Sequence, residues 1–536
     1  MEQVIDTDIL VVGAGPIGLT AAALLADHGL KVVLVEKQAS TSDAPRAISA
    51  TDETLRVMAQ IGVLDRLAPE MLMDTGARYY GRRGQLLAEV RPGQARLGHP
   101  GKSQFDQPVM ESLLLDAVRR RSSTIDLRFS TEALQISEHG NHAETVLSGR
   151  DGKTTVRSQW VLACDGGRSP IRSQLGIALE GSTQTQHWIV VDIINSQVPT
   201  EKFAEFHCNA RRPVVVVPGA NGRRRYEFML LPGETAGDVT APDFIQSLVS
   251  PFESVEPQNI RRAAVYVAHQ RIAESYRQGR VILAGDSAHL MPPFAGQALN
   301  AGIRDAANIS WKLAANVLNG APEALLDTYA AERRPHTAEM VRLSHLIGKV
   351  VMATNPLAAT VRDGLLSATA LVPPLKRWVT GMRFLKQPHY SDGCLVNAGS
   401  RQATAVAAFI GRALPQPAVR SDSGGTDSLD SLLGQGWSML RFHGNSRFEV
   451  IPLPAGSDAR TAAAGITDSD GAFNGLPAGT SLIVRPDRYV AAAVPAAAEQ
   501  AALADLSRLV PGLHPGTEQG APSAPNPSGK PLQQTS

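Results

Sequence analysis

The chain has 536 residues, 43% hydrophobic and 19% charged, with 52 Lys and Arg against 51 Asp and Glu. That length predicts about two to four domains. The balanced charge, with no dense basic stripe, argues against a nucleic-acid partner, and the scattered Cys164, Cys208 and Cys394 argue against a disulfide framework.

The N-terminus, "MEQVIDTDILVVGAG", is acidic and enters a strand at once, so no signal peptide is read there. No apolar run approaches the ~18 residues of a spanning helix. The expected location is the cytoplasm. "IDTDILVV" is a strand, "PIGLTAAALLADHG" a helix closed by Gly29, and "KVVLVE" the next strand, a βαβ unit of about thirty residues. Helices follow in "DETLRVMAQIGVLDRLA" and "QPVMESLLLDAVRRR", and "TVRSQWVLACDGG" is a strand that runs into a glycine turn. Between 179 and 275 short strands rich in Val, Tyr and Phe predict a mainly antiparallel sheet. "RVILAGD" returns to buried-strand texture, and residues 297–385 read as helical. Beyond a break at "KQPHYSDG", weak strands mix with an alanine-rich helix near 492–508, and a Pro/Gly/Ser/Gln-rich tail reads as disordered.

"VVGAGPIG" matches G-x-G-x-x-G in its proper context: a strand before, a helix after, and Glu36 about twenty residues on. Gly13 permits the tight turn, Gly15 lets a pyrophosphate approach the backbone, and Gly18 lets helix and strand pack closely. Ala14 lies within that turn. Glu36, with Lys37 beside it, can take both hydroxyls of an adenosine ribose and repels a 2′-phosphate, so the site prefers FAD or NAD to NADP. Two further strands end in acids: Asp165-Gly166 with Arg168, and Gly285-Asp286 followed by "SAHLMPPFAGQALN". A simple NAD domain needs only the first turn. A longer ligand, with a ribityl chain and a large ring, accounts for all three.

Together the fingerprint, "CDGGRSPIRSQLG", "GRVILAGDSAHLMPPFAGQALNAGIRDAANISWKLA" and "LLDTYAAERRP" resemble the class A FAD-dependent aromatic hydroxylases. "GHPGKSQFDQPVMESLL", "RYEFMLLPGE", "LLGQGWSML" and "LIVRPDRYVA" bring the chain near the 3-hydroxyphenylpropionate-type members. The resemblance implies an α/β fold: a Rossmann-like FAD domain (1–178 and 276–388), an inserted, mainly antiparallel substrate-binding sheet (179–275), a thioredoxin-like domain (389–512) and a tail (513–536). It implies non-covalent FAD and a transient NAD(P)H donor. Asp286 would bond the ribityl chain, Pro292 and Pro293 stiffen the chain beside the ring, Gly296 allows close approach, and the helix carrying Leu299 and Asn300 points its N-terminus at the ring. The family's usual Gly is Ala298 here, which puts the detailed ring contacts in question. Arg46 would reach the cofactor and assist the nicotinamide, Gln107 would lie near the FAD phosphate or ribityl group, and Asp165 and Arg168 would serve both nucleotides.

The chemistry the resemblance implies is hydroxylation of a phenol through a flavin C4a-hydroperoxide, with molecular oxygen as co-substrate and no metal. His207, Arg225 and Tyr226 are candidates for substrate contact, and alternation allows only some of them to face inward. His289 is a candidate packing residue or proton relay. His139 and His142 read as solvated. With only Cys394 and no C-x-x-C, the C-terminal domain is expected to have a structural or oligomerisation role, without redox activity. Two other readings stay open: a tailoring hydroxylase for polycyclic aromatics, and a non-enzymatic nucleotide-binding module. A homodimer is a candidate assembly.

Overall fold

The computed structural model describes residues 4–514 apart from 94, 370, 397–403, 423 and 454–462. The tail from 515 onward lies outside the described residues. The first sheet is ordered Val281–Leu283, Gly152–Ala163, Val4–Val12, Val32–Val35, Ile125–Arg128, with every neighbouring pair among these parallel. "DILVV", "VVLV" and "VIL" are apolar runs because both faces of a parallel sheet are covered. The helix Pro16–Asp27 packs on it and against the long helix Ala298–Asn319. Its Pro16 suits a first-turn position, where the missing N–H would go unbonded anyway.

The second sheet has eight strands, ordered His289–Leu290, Ile260–Ala273, Leu179–Ile193, Arg224–Met229, Val214–Pro218, Phe203–His207, Gly76–Tyr80, Leu86–Val90. It is mainly antiparallel, with a parallel pair between Phe203–His207 and Gly76–Tyr80. The sheet therefore extends beyond the expected 179–275. Gly76–Tyr80 and Leu86–Val90 belong by sequence to the first domain and lie at the far edge of the second sheet. Short strands take their place from tertiary pairing more than from local pattern.

Strict alternation divides this sheet into two faces. Trp188, Val215, Val217, Met229 and Phe206 face one core with Phe294 and Val351; Ile189, Val191, Val216, Tyr226 and Phe228 face another with Ile245 and Val249 of the helix Pro242–Val249. The first is the inner face, toward the turn that carries Phe294. The second is the outer face.

The C-terminal unit, the thioredoxin-like part of the fold, is a seven-stranded sheet whose pairs are all antiparallel among the described residues. The alanine-rich stretch expected as one helix divides into a strand, Val490–Pro495, and a helix, Glu499–Ser507. Ala491 and Ala492 are fully buried in the core shared with Trp311 and Leu325 of the helical region. Small side chains let those helices approach the strand, so tertiary packing overrides alanine's helix preference. The same interface holds fully buried charges. Glu332 accepts from Lys312 Nζ at 2.8 Å, from both terminal nitrogens of Arg485 at 2.8 Å, and from the amide of Cys394 at 2.9 Å. Burial would raise the Glu332 carboxyl, but Arg485 and Lys312 outweigh it and hold it at about 2. Removing one partner would leave an uncompensated buried charge, at a cost of about 3–5 kcal/mol. Cys394 is fully buried and its thiol is pushed up to about 11, as suits a packing residue.

Candidate active site

Three turns meet at the carboxyl edge of the parallel sheet, where α/β sheets receive ligands. In the first, Gly13 has φ +105°, and a Cβ there would lie 2.4 Å from the Cys164 carbonyl oxygen. A Cβ on Gly18 would lie 1.8 Å from the Gly13 oxygen. A Cβ on Gly15 would meet nothing within 4 Å, so this glycine borders open space, as a pyrophosphate cradle requires. The helix that starts at Pro16 has no side-chain cap and no acid in its first turn, which leaves its dipole and amides for an anion. Glu36 lies against the turn: Oε2 accepts from the Ala14 amide at 2.9 Å and Oε1 from the Gln38 amide at 2.9 Å. Lys37 beside it is exposed.

In the second turn, Asp165 Oδ2 accepts from Ser169 Oγ at 2.7 Å and from the Ile171 amide at 3.2 Å, while Oδ1 is buried without a partner. Burial raises its carboxyl above the usual range. Gly166 takes φ +83°, and Arg168 is exposed with no hydrogen bond or ion pair among the described residues. The neighbouring Arg172 is buried and donates to the Ser287 carbonyl at 2.9 Å and the Gly167 carbonyl at 3.0 Å, clamping the second turn to the third.

In the third turn, Asp286 is exposed, and its carboxylate has no hydrogen-bond partner among the described residues. The protein around it raises its pKa, with His289 and Arg46 pulling the other way. The amide of Gly285 donates to Asp305 Oδ2 at 3.1 Å, the oxygen that also meets His289 Nε2 at 2.6 Å. Asp305 Oδ1 accepts from Arg333 Nε at 2.8 Å, and all three side chains are fully buried. His289 thus braces the turn from behind and does not face the cleft. Pro293 is exposed, and Gly296 takes φ +61° just before the helix Ala298–Asn319, which has no side-chain cap and no acid in its first turn. Leu299 is buried in the core, and Ala298 packs beside Met291, Ala301, Met340 and Val341. Asn300 points into the protein. It donates to the Ser49 carbonyl at 3.0 Å and the Gly296 carbonyl at 2.6 Å, and accepts from the Thr51 amide at 2.9 Å and Thr54 Oγ1 at 2.6 Å. Its side chain fastens residues 49–54 to the ring helix, leaving only its backbone for a ligand.

Arg46 is exposed and without a side-chain partner among the described residues. Its loop is fixed from two sides. Gln107 Oε1 accepts from the Ala47 amide at 2.6 Å and its Nε2 donates to Glu111 at 2.6 Å, and Glu111 accepts from the Ser42 amide at 3.1 Å. From the sheet, Arg225 donates to Asp192 Oδ1 at 2.6 Å and to the carbonyls of Arg46, at 2.7 Å, and Pro45.

The substrate-contact candidates separate by face. Arg225 is on the inner face but is committed to Asp192 and the loop. Tyr226 is on the outer face, its hydroxyl donating to Glu253 at 2.8 Å among Phe228 and Phe252. His207 is there too, 2.9 Å from Glu205 Oε2 and packed edge-on to Phe252. Neither lines the space over the cleft, because an inward Arg225 and Phe206 force their neighbours outward. The inner face carries two groups that no motif marked: Tyr266 donates from its hydroxyl to Glu227 Oε2 at 3.1 Å. Burial raises the carboxyl of Glu227 above its usual range. Tyr266 pairs with Trp188, whose ring meets Phe294 edge-on at 5.4 Å. Alternation from Arg225 would have found Glu227, but Tyr266 depends on the pairing register.

An unhindered Gly15, uncapped helix N-termini and an unpartnered Asp286 along one edge fit a flavin dinucleotide, and the sheet roofing its ring end fits an aromatic substrate. These features define an FAD-dependent aromatic hydroxylase. Comparison with known proteins agrees. A family model for the FAD binding domain matches residues 6–344, and one for the aromatic-ring hydroxylase C-terminal domain matches residues 407–512. The 3-(3-hydroxy-phenyl)propionate/3-hydroxycinnamic acid hydroxylase of Mycolicibacterium gilvum is 36% identical over 92% of this chain and 90% of its own length. The enzyme of that name from Klebsiella pneumoniae is 35% identical over 94% of this chain and 95% of its own. Aklavinone-11 hydroxylase, solved with FAD and aklavinone, is 25% identical with a TM-score of 0.73 over 94% of this chain and 99% of its own. The chain belongs to the FAD-dependent aromatic-ring hydroxylases and is a monooxygenase of that class. Among the described residues no group of side chains is arranged to hold a metal, and no helix is long and apolar enough to cross a membrane.

Proposed function

We propose that the substrate is a 3-hydroxyphenyl-alkanoate or the corresponding cinnamate, and that the products are the ring dihydroxylated compound, NAD(P)+ and water. The near end-to-end match to hydroxylases of that specificity supports this reading. FAD would be held by the Gly13–Gly18 turn and Glu36 at its adenosine half, by Asp286 at the ribityl chain, and by the amides of the Ala298–Asn319 helix at the ring. Bound and reduced by NAD(P)H, it would activate molecular oxygen, one atom of which enters the ring and the other water. The protein's own tasks are to seat the phenol and take its proton. Trp188 and Phe294 offer the ring an apolar bed. Tyr266 and Glu227 form the hydrogen-bonding pair beside it, and they hold the phenolic proton, which makes the carbons ortho and para to the oxygen electron-rich. Arg225 acts through the loop it fixes.

The test is turnover of NAD(P)H with the FAD-loaded protein. Consumption should be slow alone and much faster with 3-(3-hydroxyphenyl)propionate, and with labelled oxygen gas one atom should enter the product. Label arriving from solvent water would rule out oxygen transfer. Turnover confined to polycyclic phenols would keep the chemistry and replace the substrate.

A further inference from the structure

The helix Pro356–Thr369 is built inside out. A helix on a globular protein ordinarily turns its apolar side chains to the core and its charges to water. Here Ala359, Arg362 and Asp363 are the buried residues. Arg362 donates to the Cys208 carbonyl at 2.7 Å and to Asp363 Oδ1 at 2.7 Å, while Asp363 Oδ2 accepts from the Arg82 amide at 2.9 Å. Leu357, Val361 and Leu365, one stripe at i, i+4 and i+8, face outward at 75%, 56% and 67% exposure.

The next helix continues the face. Pro373–Thr380 has no buried residue, and its Leu375 and Trp378 are exposed. Between the two helices Leu371 is 83% exposed, with the exposed Val372 beside it. Both helices pack on the edge strand Leu86–Val90, where Leu86 is exposed as well. Of the twelve large apolar side chains exposed among the described residues, eight lie between Leu346 and Trp378. That concentration marks an interaction surface, since single exposed apolar side chains are ordinary and a contiguous patch is not.

Charge selects what covers it. Between 340 and 391 the sequence has seven Lys and Arg and one acid, Asp363, which is committed to Arg362. Lys376, Arg377 and Arg383 are exposed with no ion pair among the described residues, as is Arg83 in the turn that Asp363 holds. Glu89, the exposed acid of the edge strand, is paired with Arg78 at 2.9 Å. The occupant must therefore offer both apolar matter and negative charge. A second copy across a two-fold axis would set this basic patch against itself. The residues outside those described contain Met1 and Leu532 as their only large apolar side chains, so none of those segments can cover the face. Leu371 stands out at the junction of the helices, whereas a peptide helix needs a groove to lie in. Trp and Leu beside Lys and Arg on a short exposed helix is the composition that settles into a lipid headgroup layer.

We propose that this face docks on the surface of an anionic lipid bilayer, with Leu357, Leu365, Leu371, Leu375 and Trp378 among the headgroups and Lys376, Arg377 and Arg383 against lipid phosphates. The chain lies on the membrane and does not span it, and the docking is independent of the substrate reading. On its inward side the same region contributes Val351 and Met382 to the core that holds Trp188 and Phe294, so the docked face backs onto the aromatic bed.

Cosedimentation of the FAD-loaded protein with vesicles tests it, using phosphatidylcholine alone and phosphatidylcholine mixed with phosphatidylglycerol. The parent should partition onto the mixed vesicles at low salt, at least about tenfold less onto the neutral ones, and be released as ionic strength rises. Lys376→Gln/Arg377→Gln should lower the partition coefficient about 25-fold, about fivefold for each basic residue near an anionic surface. Leu375→Ser/Trp378→Ser should lower it about tenfold or more through lost apolar burial. Flavin content and thermal unfolding of both variants should match the parent, because all four side chains are exposed. A parent that stays in the supernatant with both vesicles would overturn the proposal, as would equal binding to the two or binding that neither variant weakens. A parent dimer that Leu375→Ser/Trp378→Ser splits into monomers, with no vesicle binding, would overturn it too and give the face to a second copy.

Discussion

The two faces of the eight-stranded sheet are built from the same strands and do different work. On the outer face, Tyr226, Phe228 and Phe252 fill a core with the helix Pro242–Val249, and the half-buried Tyr80–His207 stack lies against Phe252. On the inner face, Asp192, Arg225, Glu227 and Tyr266 form a polar chain between Trp188 and the loop of Arg46. Neighbours in sequence thus have unrelated roles: Arg225 fixes the loop, Tyr226 packs the back, and Glu227 bonds Tyr266 on the inner face. In a strand, a one-residue error in choosing a side chain changes the face and therefore the function.

The sharpest way to break this division is at Arg225. Arg225→Met leaves Asp192 buried without its main partner and frees the carbonyls of Pro45 and Arg46. Stability should fall by about 3–5 kcal/mol, the usual consequence of breaking a buried ion pair. Thermal unfolding measures the fall, and flavin content should drop with it because the loop near the cofactor loosens. Full flavin content would show that the loop holds itself.

Glu227 comes next. Burial raises its pKa in the folded protein. Between the ordinary glutamate value of about 4.3 and that raised value, the folded state therefore binds more protons than the unfolded state. Stability must fall as pH rises through that window. Glu227→Gln removes the fall, so the variant should match the parent near pH 4 and exceed it near pH 8 in denaturant titrations. Turnover should drop at least about tenfold, the low end of losing a general acid–base group. A variant that is more stable and equally active would remove Glu227 from the site.

How far the sequence could be read follows the same geometry. The Gly13–Gly18 turn was legible because its glycines answer to local sterics: two of them have no room for a Cβ. The strand-end acids Asp165 and Asp286 were legible because turns are punctuated by residue type. The structure nevertheless separates them, Asp286 exposed and unpartnered and Asp165 bonded to Ser169. The side chain of Asn300, read as a cofactor contact, braces Ser49, Thr51 and Thr54 some 250 positions earlier, a pairing that no local pattern marks. The Tyr266–Glu227 pair depends on the register that sets Trp188 opposite both Met229 and Tyr266. The recruitment of Gly76–Tyr80 into the second sheet is a long-range choice of the same kind.

The two carboxylate-bonded tyrosines make a matched test of the faces. Tyr266 donates to Glu227, and Tyr226 to Glu253. Tyr→Phe at either position deletes one hydroxyl and leaves one carboxylate short of a donor, so both should cost about 1–2 kcal/mol of stability. Only Tyr266→Phe should also raise the KM for the aromatic acid. A KM shift in Tyr226→Phe of equal size would mean the faces are coupled through the sheet.

The smallest effect is expected at His207. Its ring nitrogen bonds Glu205 at 2.9 Å and the ring stacks on Tyr80 at 4.9 Å, with both members of the ion pair half-buried. His207→Gln should cost less than about 1 kcal/mol, in line with partly exposed pairs. The bond from His207 is the main reason the Glu205 carboxyl is held below its usual range. That contribution is therefore present above the ordinary glutamate value and disappears as pH falls through the lowered one. Parent and variant should differ in stability at pH 6 and converge on acidification toward pH 3. The KM for the aromatic acid should stay the same in the variant, because the ring faces Phe252 and the outer helix. A change in KM with flavin content intact would put His207 back in the site and overturn the assignment of faces.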